Sequence, residues 1–243
     1  MVGVNVKTAV VLAGGAGLRL KPLTNNCPKP MVELLGKPVL QWVIEWLKSN
    51  GVSDVVLGVA YRKESVIDYF KDGSEFGVKI KYSVHSVEGE TGEGFRLAIS
   101  RHVTDDTFVA VNGDELTNFN LRNLIAFHTA HDPVASIAVA HPRCPFGIIK
   151  VQENGLVDSF IEKPLIPSLL VSMGVYLFSR RIIDYLPKKG SIEKTAFPLL
   201  ASEKLLRAFP INGTWLTVNT MKDLKVAESL LRRKVRNGKW LEY

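Results

Sequence analysis

The sequence has little of what builds a disulfide framework, a zinc site or a membrane span. It contains two cysteines, Cys27 and Cys144, which do not stand at metal-ligand spacing. The five histidines are scattered and form no H-x-x-x-H or H-E-x-x-H pattern. No apolar run approaches the roughly 20 residues that cross a bilayer, and no basic-then-apolar signal pattern opens the chain. We therefore expect reduced thiols, no zinc centre, no membrane partner and a cytoplasmic protein.

Composition is ordinary for a folded chain of this length. The 243 residues are 46% hydrophobic and 23% charged, which excludes intrinsic disorder and collagen-like classes. This length is enough to bury a substantial core. No linker, low-complexity tract or repeat divides the chain, so we expect a single domain over residues 1–243, although length alone also allows two small domains.

The charge balance is basic. A net charge of +7, from 31 basic and 24 acidic side chains, favours anionic partners in general. Positive charge is concentrated only in "RRKVRNGK", residues 232–239, where cations complement the dipole of a helix end. Because no nucleic-acid motif accompanies that stretch, we expect small phosphorylated ligands and no nucleic acid.

Strand and helix signals alternate along the first half. Residues 6–13 are almost continuously apolar, as in a strand buried on both faces. The remaining strands of this half are predicted at 53–61, 77–84 and 107–115, and its helices at 37–51, 63–73, 91–103 and 120–131. From residue 134 the sequence is strand-rich, with strands predicted at 134–141, 170–179 and 206–210, a hairpin around "ENG" (153–155) within 146–163, and helices at 180–187, 192–203 and 221–235.

This order predicts an α/β fold. We expect a Rossmann-like three-layer αβα domain with a mixed, mainly parallel central sheet, into which the second half inserts antiparallel strands.

A glycine-rich loop at residues 13–30 follows the first predicted strand. In such sheets ligands bind at the carboxyl ends of the strands, and Gly14, Gly15 and Gly17 let backbone N–H groups approach an anion. The loop fails the dinucleotide fingerprint, because Leu20 occupies the third glycine position. It also fails the Walker A pattern, because no G-K-[ST] follows.

The loop carries cations instead. Arg19 presents a planar fork suited to phosphate oxygens, and Lys29 lies between two prolines that stiffen its backbone. Glycines with two cations suit a polyphosphate whose terminal part leaves, because charge accumulates there in the transition state. A nicotinamide-dependent dehydrogenase is disfavoured by the same Arg19 and by Leu20.

The segment "LAGGAGLRLKPLTNNCPKPM" (12–31), followed by "GKP" (36–38), resembles the signature of the sugar-1-phosphate nucleotidylyltransferases. The match is long and gapless. The resemblance implies transfer of a nucleotidyl group from an NTP to a hexose 1-phosphate, with release of pyrophosphate and with Mg²⁺ as cofactor. It implies a nucleotide-binding half at 1–133 and a sugar-phosphate-binding half at 134–243, without the C-terminal β-helix of some members.

The resemblance also implies roles for individual residues. Arg19 and Lys29 are expected to hold phosphates, and "NGDELTN" (112–118) makes Asp114 the expected magnesium ligand. The nucleotide contacts are expected from Leu12, Ala13, Gly14, Gly15, Gly17, Arg19, Thr91, Gly92, Asn112 and Gly113. Glu88 is added because its carboxylate can accept from the N1–H and N2–H₂ groups of guanine, which makes guanine the preferred base.

The second half resembles the sugar-binding segments of the family. "FGIIKV" (146–151) makes Gly147 the expected point of close sugar approach, and "FIEKP" (160–164) implies that Glu162 binds sugar hydroxyls and Lys163 the sugar phosphate. "SMG" (172–174) places Ser172 where the family has an asparagine that contacts the sugar. Mannose 1-phosphate and glucose 1-phosphate are the expected acceptors.

One departure raises a competing hypothesis. "GTWLTVNTMKDL" (213–224) resembles the closing segment of the family, but Thr217 stands where a second metal-binding aspartate is usual. A hydroxyl is a much weaker magnesium ligand than a carboxylate. The alternative is therefore a catalytically weak or silent homologue that binds nucleotide or NDP-sugar and regulates a partner subunit.

Aromatic residues near the C-terminus bear on assembly. We expect Trp240 and Tyr243 to be exposed, which favours a contact surface and a homo-oligomer.

Overall fold

The computed structural model describes residues 6–236 and residue 240. Its strands are β1 (Thr8–Leu12), β2 (Glu33–Leu34), β3 (Lys37–Pro38), β4 (Asp54–Val59), β5 (Lys79–Val84), β6 (Thr107–Asn112), β7 (Glu115–Thr117), β8 (Ala135–Ala140), β9 (Ile148–Val151), β10 (Val157–Ile161), β11 (Val171–Ser179), β12 (Leu206–Pro210) and β13 (Trp215–Thr217). The α-helices are α1 (Val39–Ser49), α2 (Lys63–Phe70), α3 (Glu90–His102), α4 (Leu121–His131), α5 (Ala196–Ser202) and α6 (Met221–Arg236).

Seven strands form the central sheet, in the order β12-β8-β11-β6-β1-β4-β5. Neighbouring strands are parallel except on the two sides of β11, which runs antiparallel to both β6 and β8. The predicted mixed, mainly parallel sheet is confirmed. Strands from both halves of the sequence join this one sheet.

Helices cover both faces of the sheet. Side chains alternate across a strand, so Val11 of β1 packs in one core with α1, α2 and α4, whereas Val10 packs in another with α3 and α5. A sheet covered on both sides explains why β1 reads as one apolar run. The three-layer αβα arrangement is therefore confirmed.

A third core cluster joins the glycine-rich loop to the C-terminal part of the chain. It contains Leu20 and Trp42 together with Leu231 of α6 and Trp240. Trp240 is only 5% exposed and packs edge-on against Trp42, with ring centroids 6.3 Å apart. The expectation that Trp240 is exposed is wrong, because its large apolar ring covers the first helix. Tyr243, and residues 237–239 of the basic stretch, lie outside the described residues.

Several predicted elements differ in the structure: for example, the helix expected at 192–203 begins only at Ala196, and residues 37–38 of the helix expected at 37–51 form β3. The helix expected at 180–187 is a 3-10 turn over Arg180–Asp184, since Pro187 disfavours helical geometry in the residue before it. The strand expected at 107–115 ends at Asn112, and Gly113 and Asp114 make a turn before β7 begins.

The predicted hairpin stands outside the sheet. Strands β9 and β10 pair only with one another, and every residue in them is exposed. Its turn is closed by Gln152, whose N–H donates to the Leu156 carbonyl oxygen at 2.8 Å, and Gly155 adopts a φ of +87° there. Among the described helices, none is long and apolar enough to cross a bilayer.

Candidate active site

A cavity of about 390 Å³ opens at the carboxyl ends of β1 and β6. These parallel strands pair in register, so that Leu12 lies beside Asn112 where both strands end. The cavity is lined by Leu12, Gly14, Gly15, Ala16, Lys29, Pro30, His85, Val87, Glu90, Thr91, Asn112 and Asp114. The loop residues, Lys29 and Asp114, which are far apart in sequence, therefore share one cavity of the size that holds small ligands.

Two hydrogen bonds, one within the backbone and one from a side chain, close the glycine-rich loop on itself. The N–H of Lys29 donates to the Gly15 carbonyl oxygen at 2.9 Å, and the Thr24 hydroxyl donates to the Gly17 carbonyl oxygen at 2.9 Å. Gly17 adopts a φ of +59°, a left-handed conformation that favours glycine. The loop thus presents Lys29 directly beside its glycines.

Leu20 explains why this loop lacks a third glycine. Its side chain is fully buried and packs with Val32 and Trp42. A dinucleotide-binding loop has a glycine at this position so that its helix and strand can pack closely. Here the buried Leu20 side chain holds the loop against the core instead.

Gly14 and Gly15 are surrounded differently. A Cβ atom on Gly14 would lie 2.8 Å from the Ala60 Cβ and 2.9 Å from the Ala60 backbone nitrogen. A Cβ on Gly15 would have no atom within 4 Å. Gly14 is therefore required by packing between the loop and the turn after β4, whereas Gly15 leaves open space on the cavity side.

Two strand-end residues shape the site through their backbones. The N–H of Ala13 donates to the Gly58 carbonyl oxygen at 2.7 Å, and the N–H of Gly113 donates to the Leu12 carbonyl oxygen at 2.8 Å. A Cβ on Gly113 would lie 2.7 Å from that same oxygen. Both residues hold β1 and its neighbours together where the strands end.

The Lys29 ammonium is the centre of the polar network. Its Nζ forms an ion pair with the Asp114 carboxylate and donates a hydrogen bond of 2.6 Å to the Asn219 Oδ1. Arg19 reaches the same Oδ1 through Nη2 at 3.5 Å. The Lys29 and Asp114 side chains are 13% and 21% exposed, so solvent screens their charges only partly.

Asn219 was not predicted. It lies within the quoted segment 213–224, at a position for which the resemblance specifies no residue. A capping box at the start of α6 holds it: the Asp223 carboxylate accepts from the N–H groups of Asn219 and Thr220, and the Thr220 hydroxyl accepts from the Asp223 N–H. The first turn of α6 thus aims the Asn219 amide at both cations.

Glu115, also not predicted, follows Asp114 directly. Its Oε2 accepts a hydrogen bond of 2.8 Å from the Trp215 indole N–H, and Thr217 lies opposite it in the antiparallel pair β7–β13. Burial, and then the neighbouring Asp114 charge, raise the pKa of Glu115 to about 8, while the Trp215 hydrogen bond and the Lys29 charge oppose that rise.

The donor set near Asp114 fits a hard cation. Asp114 and Glu115 offer carboxylate oxygens, and the Oδ1 of Asn112 is buried without a hydrogen-bond partner. Within residues 6–236 and 240, no group of three or more histidine, cysteine or acidic side chains is placed to hold a metal. One or two carboxylates, completed by phosphate oxygens and water, is the arrangement that Mg²⁺ prefers.

The start of α3 is tied to the segment before α5. The Thr91 hydroxyl donates to the Glu193 carboxylate at 3.0 Å and accepts from the Ile192 N–H at 2.9 Å. Gly92 donates its N–H to the Gly190 carbonyl oxygen at 2.9 Å, and a Cβ at Gly92 would collide with that oxygen. Thr91 lines the cavity, whereas Gly92 provides packing.

The expected base contact is placed outside the cavity lining. Glu88 is exposed in a 3-10 turn over Val87–Gly89. Glu93 accepts hydrogen bonds from the Ser86 N–H at 2.9 Å and from its hydroxyl at 2.6 Å, which lower its pKa. His85 and Glu90 line the cavity instead, and the His85 Nε2 is buried without a hydrogen-bond partner.

The four expected sugar-site residues also lie outside the cavity lining. Lys163, at the end of the exposed hairpin, has a φ of +44° and an Nζ that lies 3.1 Å from the Glu162 Oε1. A Cβ on Gly147 would meet the Phe160 ring, so that ring fills the space at this glycine. Ser172 of β11 accepts from the Gly174 N–H at 3.3 Å.

Comparison with known proteins is consistent across sequence and structure. A family model described as Nucleotidyl transferase matches residues 8–234, and the chain belongs to this family. A mannose-1-phosphate guanyltransferase of Gibberella zeae is 35% identical over 222 residues, covering 88% of this chain and 61% of that protein. A mannose-1-phosphate guanylyltransferase catalytic subunit beta of Dictyostelium discoideum is 36% identical over 223 residues, covering 88% and 62%. The chain thus spans less than two thirds of the length of these relatives.

Solved structures share the fold. HddC from Yersinia pseudotuberculosis superimposes with a TM-score of 0.73 at 25% identity, covering 93% of this chain and all of that chain. A UDP-glucose pyrophosphorylase complexed with UDP-glucose gives a TM-score of 0.72 at 18% identity, covering 94% and 99%, a likeness of fold alone.

Proposed function

We propose that this chain transfers a nucleotidyl group from an NTP to a hexose 1-phosphate, giving an NDP-sugar and pyrophosphate. The observation that carries the proposal is a network centred on Lys29: its Nζ contacts Asp114, which lines the glycine-containing cavity with it, and Asn219, whose Oδ1 Arg19 also reaches. Two cations beside open backbone and a carboxylate suit a triphosphate and its cation. Membership of the nucleotidyl transferase family supports the same reaction.

The chemistry requires little more than positioning. A phosphate oxygen of the sugar 1-phosphate forms a bond to the α-phosphorus of the NTP, and the bond from that phosphorus to the bridging oxygen of the leaving pyrophosphate breaks. The nucleophile is already an anion, so no general base is needed. Catalysis then rests on alignment and on neutralising charge as the pyrophosphate leaves.

Each side chain has a part in that scheme. Arg19 holds the leaving pyrophosphate, and Lys29 holds the phosphates around the reacting centre. Lys163 anchors the incoming sugar phosphate, and Glu162 accepts from sugar hydroxyls. Asp114 would hold Mg²⁺, which supplies charge neutralisation at the phosphate oxygens when bound. Asp114 is ion-paired with Lys29, so the residue proposed to hold the cation directly contacts the residue proposed to hold the phosphates.

The preferred substrates are GTP and mannose 1-phosphate. Relatives at 35% and 36% identity carry mannose-1-phosphate guanyltransferase names, which supports this pair over UTP or dTTP with glucose 1-phosphate. The substrates are phosphorylated metabolites, so we propose that the protein acts in the cytoplasm. Association with a second subunit is also proposed, because one of these relatives is named a catalytic subunit.

A pyrophosphate-release screen tests the proposal. The purified chain is incubated with Mg²⁺ and each common NTP, paired with mannose 1-phosphate and glucose 1-phosphate. The expected result is release that requires both substrates and is highest with GTP and mannose 1-phosphate. If no substrate pair leads to pyrophosphate release, the catalytic proposal is rejected.

The second candidate is a silent homologue that binds nucleotide or NDP-sugar and regulates a partner subunit. Thr217 favours it, since a neutral hydroxyl stands where the resemblance implies a carboxylate. Nucleotide binding without pyrophosphate release, together with a gain of turnover in Thr217→Asp, is the result that would favour this candidate over the first.

A further inference from the structure

Glu115 is a second carboxylate next to the cavity-lining Asp114. It is the first residue of β7 and directly follows Asp114, the cavity-lining carboxylate bound to Lys29. The Glu115 Cγ lies against Gly174 of β11. A Cβ atom on Gly174 would lie 2.9 Å from this Cγ and 2.8 Å from the Asn112 Nδ2. Glu115 therefore lies against Gly174 of β11 and near the end of β6, where the Asn112 Oδ1 is buried without a hydrogen-bond partner.

The two neighbouring carboxyl groups, Asp114 and Glu115, differ in their charged partners. Asp114 has an ion pair with Lys29, but in the described part of the chain no lysine or arginine forms an ion pair with Glu115. Glu115 accepts a side-chain hydrogen bond from the Trp215 indole, which is neutral. A partly buried carboxylate beside another carboxylate is costly without a cation. A divalent cation between them would remove that cost.

The facing strand supplies no competing carboxylate. Thr217 is paired with Glu115 across β7–β13, and directly opposed residues project from the same face of an antiparallel pair. A neutral hydroxyl at that position makes a poor ligand for Mg²⁺. Of the residues paired across β7 and β13, Glu115 is thus the one that carries a carboxylate, and it lies opposite Thr217.

We propose that Glu115 is the second protein ligand, with Asp114, for the divalent cation that accompanies the nucleotide. The assignment rests on the proposed function. Glu115 Oε2 keeps its hydrogen bond to Trp215, while Oε1 remains to contact the cation. In this proposal, the carboxylate that the resemblance implies at residue 217 is supplied by Glu115 on the facing strand. The cation site then needs no aspartate at residue 217.

Manganese binding tests the assignment without relying on turnover. The purified chain is titrated with Mn²⁺ alone and with Mn²⁺ plus GTP, and free Mn²⁺ is measured by electron paramagnetic resonance. We expect Glu115→Gln, which keeps the shape of the side chain and an acceptor for Trp215, to weaken Mn²⁺ binding by about tenfold or more. Glu75→Gln removes one exposed carboxylate, paired with Lys71 and not part of the cavity lining, and should bind Mn²⁺ as the unmodified protein does.

A carboxylate swap makes the test specific. The double variant Glu115→Thr with Thr217→Asp moves the charge to the facing strand and should recover most of the Mn²⁺ affinity that Glu115→Thr alone loses. Thermal unfolding of each variant shows that it is folded. Unchanged Mn²⁺ affinity in folded Glu115→Gln overturns the proposal, as does an affinity lost in Glu115→Thr and not recovered by the folded double variant. Absence of Mn²⁺ binding to the unmodified protein, with or without GTP, also overturns it.

The two proposals fail separately. If pyrophosphate is released from no substrate pair but Glu115→Gln weakens Mn²⁺ binding, the catalytic proposal is lost and the cation site stands. If pyrophosphate release proceeds and Glu115→Gln binds Mn²⁺ normally, the reaction stands and Glu115 has no part in holding the cation.

Discussion

Lys29 and Asn219 are 190 residues apart in the sequence, and the Lys29 Nζ lies 2.6 Å from the Asn219 Oδ1. The same amide oxygen accepts from Arg19, so one neutral acceptor spaces two cations of the glycine-rich loop. An amide oxygen binds a cation more weakly than a phosphate oxygen does, because the phosphate adds a negative charge that the neutral amide lacks. Asn219 is therefore suited to hold both side chains in place and to release them to a nucleotide.

Replacing Asn219 with aspartate should impair nucleotide binding. A carboxylate beside Arg19 and Lys29 would compete with the phosphates for both cations. We expect Asn219→Asp to raise the KM for the NTP by about tenfold or more, and Asn219→Ala to raise it less. Steady-state pyrophosphate release and direct nucleotide titration measure the effect. Equal nucleotide affinity in Asn219→Asp and the unmodified protein would show that the amide does not control these cations.

Removing the Lys29 charge should have the largest effect on the reaction. Lys29→Met keeps much of the side-chain volume but leaves developing phosphate charge without its ammonium. Losses of about 100-fold or more are typical when such a donor is removed, and we expect that loss in pyrophosphate release. Lys71→Met, at an exposed pair with Glu75, is the matched control and should retain full activity. A Lys29→Met enzyme within a few-fold of the unmodified rate would remove Lys29 from the mechanism.

The two adjacent glycines should respond differently to alanine. Gly14→Ala places a Cβ against Ala60, including its backbone nitrogen at 2.9 Å, and overpacking of this kind costs about 1–3 kcal/mol. Gly15→Ala meets no atom within 4 Å and should leave the free energy of unfolding nearly unchanged while weakening nucleotide binding. Urea unfolding and nucleotide titration of both variants check this. Equal destabilisation by the two changes would contradict the packing difference.

His128 should make the protein less stable in mild acid. Burial lowers the pKa of His128 to about 4, and Arg181 contributes in the same direction, while Asp132 opposes it. The unfolded chain, with a histidine pKa of about 6.5, binds this proton first as the pH falls. Stability is therefore retained above about pH 6.5 and lost as the pH falls toward 4. The loss is at most about 3.5 kcal/mol, at about 1.4 kcal/mol for each of the roughly 2.5 pKa units.

Urea unfolding between pH 4 and pH 7 measures that loss. His128→Gln keeps a polar group near the Ser136 hydroxyl, which lies 2.9 Å from the His128 Nδ1, and should flatten the pH dependence. The exposed His131, in the same helix, is the control, and His131→Gln should leave the slope as it is. A steep acid loss that persists in His128→Gln would assign the effect to other groups.

Local sequence patterns determined most of the fold. The apolar run of β1 reports burial on both faces, and the spacing of apolar residues in α1 reports its buried stripe. The "ENG" turn signalled the hairpin. Element ends were less predictable, because the turn at Gly113 depends on a hydrogen bond to Leu12, a residue far away in sequence.

The sequence alone identifies residues 13–30 as a glycine-rich loop that carries cations, because its glycines and charges are neighbours along the chain. The sequence by itself thus determined the family, the main strands and helices of the central sheet, and Lys29 and Asp114, which both line the cavity. Tertiary structure decided the burial of Trp240, the place of Asn219 between two cations and the pairing of Thr217 with Glu115. Such contacts depend on strand order and register, which join residues from opposite ends of the chain, and no local periodicity records them.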